Sequence, residues 1–317
     1  MISDTDIATG MLPDREPTSG LRAWLKEDSF FAQFARATGE VLRRDRLALI
    51  GALIYVFFIL IAVFAPFIAP YDPLEVIQED GYWLANELPS GRFLLGTTNI
   101  GRDIFSQLVY GSRTALLVGF SAAIAVAIIG TVVGLVAGYN GGWVDSGLMS
   151  LADVAFGIPF LPLVIVLVAF FEPSIWNIVL AMALLLWRDT GRVIRSQVLI
   201  VKERAFVSAA KVSGASTRRI ILLYVTPSIL PLSFLYGSLA IGWAILTEAS
   251  VSFLGFGDPD VVSWGYMLQD AYNSQSMSRG AYWWIIPPGL CIMLTVMAGF
   301  FIGRGYEEVL FPRLRSK

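Results

Sequence analysis

Six long runs almost free of charge decide what this chain can become. Residues 47–69, 114–138 and 283–303 carry no charged side chain, residues 146–171 carry only Asp153, and residues 227–250 carry only Glu248. A shorter uncharged run, 174–187, continues into a basic stretch and gives a span over 174–195. About 20 consecutive apolar residues cross a bilayer core as a helix. Backbone in lipid must satisfy its own hydrogen bonds, so such runs fold as helices. The expectation is an all-α integral membrane protein with six transmembrane helices, its membrane domain covering 47–303. Composition agrees: 56% of residues are hydrophobic and 15% charged, against roughly 45–50% and 25% in soluble domains.

Flanking charge sets the orientation. With the N-terminus inside, nineteen Lys and Arg residues lie inside and three, Arg92, Arg102 and Arg279, lie outside. The inside set includes Arg188, Arg192 and Arg195, assigned to the stretch leaving the fourth span. Excess cations mark cytoplasmic segments. Both termini are therefore expected in the cytoplasm, as a segment 1–46 and a tail 304–317. Residues 21–46 place Trp24, Phe30, Phe31 and Phe34 among basic residues, which reads either as an interfacial helix or as a simple anchoring flank. The first apolar run follows a long polar stretch and exceeds a signal-peptide core, so it reads as an anchor.

Much chemistry is excluded. The chain has no histidine and one cysteine, Cys291, within an apolar run. That removes Ser-His-Asp and Cys-His catalysis, the common zinc sets and any internal disulfide. No lysine follows a glycine, so the phosphate loop G-x-x-x-x-G-K-[ST] is absent. If ATP is used, another polypeptide binds it. A net charge of −2 gives no footprint for nucleic acid. No enzyme activity, metal or cofactor is expected of this chain.

Between the fourth and fifth spans lies a small-residue, basic, helix-forming segment, 203–227. On a helical wheel Phe206, Ala209, Ala210 and Ser213 share one face, with Arg204, Ser208 and Lys211 opposite. A face so smooth suits docking into a partner's groove. Residues 208–227 resemble the cytoplasmic EAA loop of ABC importer permeases: E-A-A, three residues, Gly, nine residues, then I-x-L-P. Ala209, Ala210, Gly214 and Pro227 match in register, while Ser208, Tyr224 and Thr226 replace the glutamate, isoleucine and leucine. Residues 94–119 are similar to the L-G-T-D-x-x-G-R-D…Y-G-x-R segment of dipeptide and oligopeptide permeases, with Thr98 in place of the aspartate. The stretches 248–257, 263–268 and 307–315 fit the same family.

The resemblance implies the type I ABC importer permease fold and the role of the second permease subunit in a peptide importer. It implies a heterodimer with another permease, two cytoplasmic ATPase subunits carrying ATP and Mg, an extracytoplasmic substrate-binding protein, and the cytoplasmic (inner) membrane of a prokaryote. Nickel or an oligosaccharide is the alternative cargo; a stand-alone channel or secondary carrier is the alternative machine. The loop would form a coupling helix on the ATPase subunit, through Phe206, Ser208, Ala209, Ala210, Lys211, Gly214 and Arg218.

Two carboxylates lie within spans, where each costs roughly 2.5–3.5 kcal/mol on insertion scales. Asp153 is expected near the cytoplasmic end in a structural role, and Glu248 either lines the pathway or caps a neighbouring helix. Neither suggests a proton relay, because their own two spans hold no histidine or basic residue. Outside, Arg102 and Asp103 either begin a helix or meet the binding protein. The 255–282 loop, with Asp258 and Trp264, is the second candidate docking surface.

Overall fold

A computed structural model describes residues 38–39, 41–43 and 45–310 of the chain. Contacts separate residues 1–40 from 41–317. Of the first unit only 38 and 39 are described, both helical. The interfacial reading of 21–46 therefore falls almost wholly outside the described residues.

Helix α1 (Arg46–Ile68) begins at Asp45, whose Oδ1 accepts from the amides of Leu47 at 2.7 Å and Ala48 at 3.3 Å. It buries a narrow stripe, Ala48, Gly51, Tyr55, Phe58 and Ala65, and leaves Leu53, Phe57, Leu60 and Phe64 exposed. Such an apolar exposed face fits lipid as the solvent. A two-stranded hairpin follows, β1 (Gln78–Glu79) and β2 (Tyr82–Trp83), turned by Asp80 and Gly81, both at positive φ. Asp-Gly is the pairing that such a turn favours.

Helix α2 (Ile104–Asn140) is the centre of the body. It packs most extensively on α5 (Ile175–Val201), then on α8 (Thr226–Phe253) and α1. Gly130, Gly134 and Gly138 line its contact with α5. A Cβ at Gly134 would lie 2.6 Å from the Gly191 carbonyl oxygen, and one at Gly138 2.9 Å from Val198. Glycine spaced by four lets two membrane helices approach this closely. Between them run α3 (Gly142–Gly157) and α4 (Phe160–Phe171), bent by 92° at Ile158–Pro159. A residue before proline is pushed to extended backbone, and Ile158 adopts it.

After α5 come the short α6 (Ala205–Val212), α7 (Thr217–Ile220) and a π turn, Ile221–Val225, that feeds α8 without a break. Helices α9 (Trp264–Asn273) and α10 (Tyr282–Leu310) complete the body, α10 packing on α8 and α1.

Two of the expected span starts need correcting. The second span is a 37-residue helix that begins ten residues before the apolar run, at Ile104. The fifth begins at Thr217 rather than at Pro227, carried into the helix by the π turn in which the Thr226 amide donates to Ile221 O. Four helices among the described residues are long and apolar enough to cross a membrane, and the bent α3–α4 pair makes a fifth. The predicted fourth span, α5, has the length but carries Arg188, Asp189, Arg192 and Arg195, so apolarity alone does not bring the number to six.

Candidate functional site

Helix α6 ends in a Schellman motif. The Ala215 amide donates to Ala210 O and the Gly214 amide to Lys211 O, both at 3.0 Å. Gly214 supplies the positive φ of +78° which that motif needs. A Cβ there would meet nothing within 4 Å, so Gly214 makes the bend and no tight contact. Phe206, Ser208, Ala209, Lys211 and Arg218 are exposed, while Val207 and Ala210 turn inward. Ala210 therefore leaves the predicted docking face. Val212 joins the exposed surface instead, at 91% exposure, a position that an i, i+3, i+4 wheel centred on Phe206 passes over. Val212 and Phe206 flank the exposed Ala209, so that side of the eight-residue helix is an apolar strip left uncovered among the described residues.

Asp153 finds its basic partner in α5. Its carboxylate pairs with the Arg192 guanidinium, and Arg195 binds Asp145 through Nε and Nη2 at 2.5 and 2.6 Å. Arg188 donates to Ala155 O, and both Arg188 and Arg192 stack over the Phe156 ring at 4.4 Å. The charges of α5 are thus matched by α3, which explains how a helix so polar fits this body. Arg188, Arg192 and Arg195 sit from the midpoint of α5 onward, in the helix expected to continue over 188–200.

Glu248 is buried and accepts from Ser252 Oγ at 2.7 Å, with Ser263 as a second polar neighbour. Ser263 also caps α9 through the Tyr266 amide. The glutamate thereby ties α8 to the start of α9, and its structural reading is the one the geometry fits.

Halfway along α2, α5 and α8 lies a cavity of about 360 Å³, lined by Val126, Phe160, Leu186, Leu239, Ala240 and Trp243 with Arg188, Asp189, Thr190 and Tyr236 as its polar groups. Sequence reasoning missed it, because Arg188 and Asp189 read as the basic exit of a short span.

Family comparison bears on this body directly. The profile of the binding-protein-dependent transport system inner membrane component matches residues 130–316, and that of the N-terminal TM domain of oligopeptide transport permease C matches 29–88. The chain belongs to this permease family. It is 37% identical over 284 residues to the dipeptide transport system permease protein DppC of Alkalihalophilus pseudofirmus, covering 89% of this chain and 90% of that one. It is 33% identical over 310 residues to the di/tripeptide transport system permease protein DppC of Pseudomonas aeruginosa, covering 96% and 97%. The glutathione transport system permease protein GsiD of Pectobacterium atrosepticum is 34% identical over 274 residues, covering 86% and 89%. As a permease the chain is a multi-pass membrane component of a transport system, not a catalyst.

In this permease the outer candidates are mostly scaffold. Asp103 is fully buried at the N-cap of α2, accepting from Ser106 N at 2.8 Å and Ser106 Oγ at 2.6 Å. Burial pushes its carboxyl up, and the Ser106 bonds partly oppose that. Trp264 is 1% exposed, donates Nε1–H to Leu108 O at 2.9 Å and meets Phe58 edge-on. It is a core residue, not a docking residue: its ring fills the space left where Gly111 has no side chain. Asp258 accepts from the Ile175 amide at 3.3 Å and from Asp260 N at 3.0 Å, closing the start of α5. Only Arg102 keeps an unspent donor, its Nε, near Asp270. Among the described residues no three His, Cys, Asp or Glu gather as a metal site.

Proposed function

We propose that the chain is the permease subunit of an ATP-driven, binding-protein-dependent importer of di- and oligopeptides. The observation that carries the cargo class is near end-to-end similarity to a di/tripeptide permease, over 96% of this chain. The reading includes a heterodimer with a second permease, two ATPase subunits that hold ATP and Mg, and a binding protein outside. It places the protein in the inner membrane of a prokaryote with both termini in the cytoplasm. Sixteen of the nineteen inside cations lie outside α5, so the orientation argument does not depend on Arg188, Arg192 and Arg195. Helix α6 is assigned as the coupling helix: it offers exposed Phe206, Ala209 and Val212 at the end of the bundle where α5 finishes.

The test is reconstitution of the chain with its neighbouring permease, ATPase and binding-protein gene products in proteoliposomes. ATP-dependent uptake of labelled dialanine is expected. Uptake of nickel or an oligosaccharide without dialanine would transfer the machine to another cargo; uptake of any of them by this chain alone would end the importer reading.

A further inference from the structure

The cavity halfway along α2, α5 and α8 has a wall that does not belong in lipid. Asp189 is the residue after the midpoint of α5, and its side chain is 54% exposed. The opposite walls come from the middle of α2 and α8, both long and apolar enough to cross the membrane. A carboxylate at that depth faces water or protein. Two cations stand near it, Arg188 and Arg192. Arg188 Nε stands 3.7 Å from Asp189 Oδ2, an ion-pair separation beyond hydrogen-bond reach, and that buried Nε has no hydrogen-bond partner. The rest of the guanidinium is engaged by Ala155 O and the Phe156 ring. Arg188 is therefore a fixed positive group at the cavity's edge and Asp189 the adjustable negative one.

We propose that this cavity is a transient cargo site in which Asp189 receives the N-terminal ammonium of a short peptide. The claim rests on the peptide-importer reading above. Apolar walls from Val126, Phe160, Leu239 and Trp243 accept the first side chain, and the Tyr236 hydroxyl lies on the same wall within reach of the peptide backbone. About 360 Å³ is at the small end of ligand pockets, which run from about 300 Å³ upward, and so suits one or two residues rather than a folded chain. A pocket whose one carboxylate, Asp189, stands beside a broad apolar wall fits a single ammonium next to a variable side chain, with Thr190 and Tyr236 as its neutral polar groups.

The experiment uses the complete transporter with its binding protein in proteoliposomes, measuring dialanine uptake and ATP hydrolysis together. Asp189→Asn is expected to lower dialanine uptake about tenfold, the loss of one charge-assisted contact, while hydrolysis stimulated by the binding protein stays at the wild-type level. Asp189→Glu, which keeps the charge, is expected to restore most of the uptake. Independently, p-benzoylphenylalanine at position 243 is expected to cross-link labelled dialanine during turnover. Asp189→Asn with wild-type uptake, or a cross-link from position 243 to the second permease with none to peptide, overturns the site. If the wild-type transporter takes up no dialanine at all, the cargo reading itself fails, a result the variants cannot produce.

Discussion

Pro66 has no amide hydrogen, so the Ala62 carbonyl one turn earlier loses its helical donor. Arg113 replaces it: its Nε donates to Ala62 O at 2.6 Å while the guanidinium lies 5.0 Å over the Tyr110 ring. Arg113→Leu should cost about 1 kcal/mol for the unpaired carbonyl, read as a lower thermal midpoint of the purified complex. Pro66→Ala in the same chain should cancel most of that loss, because it restores the helical donor; additive effects of the two changes would refute the link. Trp264 is a different case. Truncation to Ala removes a buried indole and its bond to Leu108 O, a change of about 3–5 kcal/mol. Folded yield should fall sharply, while the affinity of surviving complex for its binding protein should not change. The sequence did not separate these roles, since an aromatic residue in a polar outer loop is equally suited to an interface or a core. Burial under α1 and α2, contributed by residues 156 and more positions away, decides it.

Packing at the level of elements depends on absent side chains. With Cβ space of 2.6 Å at Gly134 against the Gly191 carbonyl, Gly134→Leu should force α2 and α5 apart and abolish recovery of assembled complex. Gly147→Leu, on α3 with nothing within 4 Å, is the control and should leave recovery unchanged. Equal recovery of both variants would show that the close approach is not needed. The four-residue spacing of 130, 134 and 138 is plain in the sequence; its partner is not, because α5 lies about sixty residues further along. Separations of 33, 39 and 50 residues likewise hid the fit of Arg188, Arg192 and Arg195 to α3. Apolarity locates a helix well when lipid is its neighbour, as at α1, and poorly when another helix of the protein is, as at α5. The π turn was invisible for a local reason: Pro227 signals a missing donor equally at a helix end and at a bulge.

Glycine contacts also give the directions of the helices across the whole molecule. Gly130 meets Thr190, Gly134 meets Ile194 and Gly138 meets Val198, so α2 and α5 run parallel. Thr131 meets Ser233 and Gly119 meets Ile245, so α8 runs against them. Gly305 meets Ala48, which brings the end of α10 to the start of α1. Parallel α2 and α5 with one bent pair between them is what a sixth crossing requires, and it sets α6 at the same end as the start of α1. From there the coupling hypothesis can be tested with a better variant than the wheel suggested. Ala210 faces inward, so Ala210→Arg would disturb α6 itself and say little about docking. Ala209 is exposed between Phe206 and Val212, and the helix is closed by its own Schellman bonds. Ala209→Arg should therefore leave the loop folded and the spans inserted, while a charge at the centre of an apolar contact about the size of one side chain weakens docking by roughly 2–3 kcal/mol or more, on the scale of a centrally placed interface residue. That corresponds to loss of the ATPase subunit from the purified complex by about thirtyfold or more, with uptake lost in parallel. Lys211→Ala, at the rim, should change subunit retention by less than about 1 kcal/mol. Retention and uptake are measured on the same preparations; full retention with Ala209→Arg would move the coupling element away from α6.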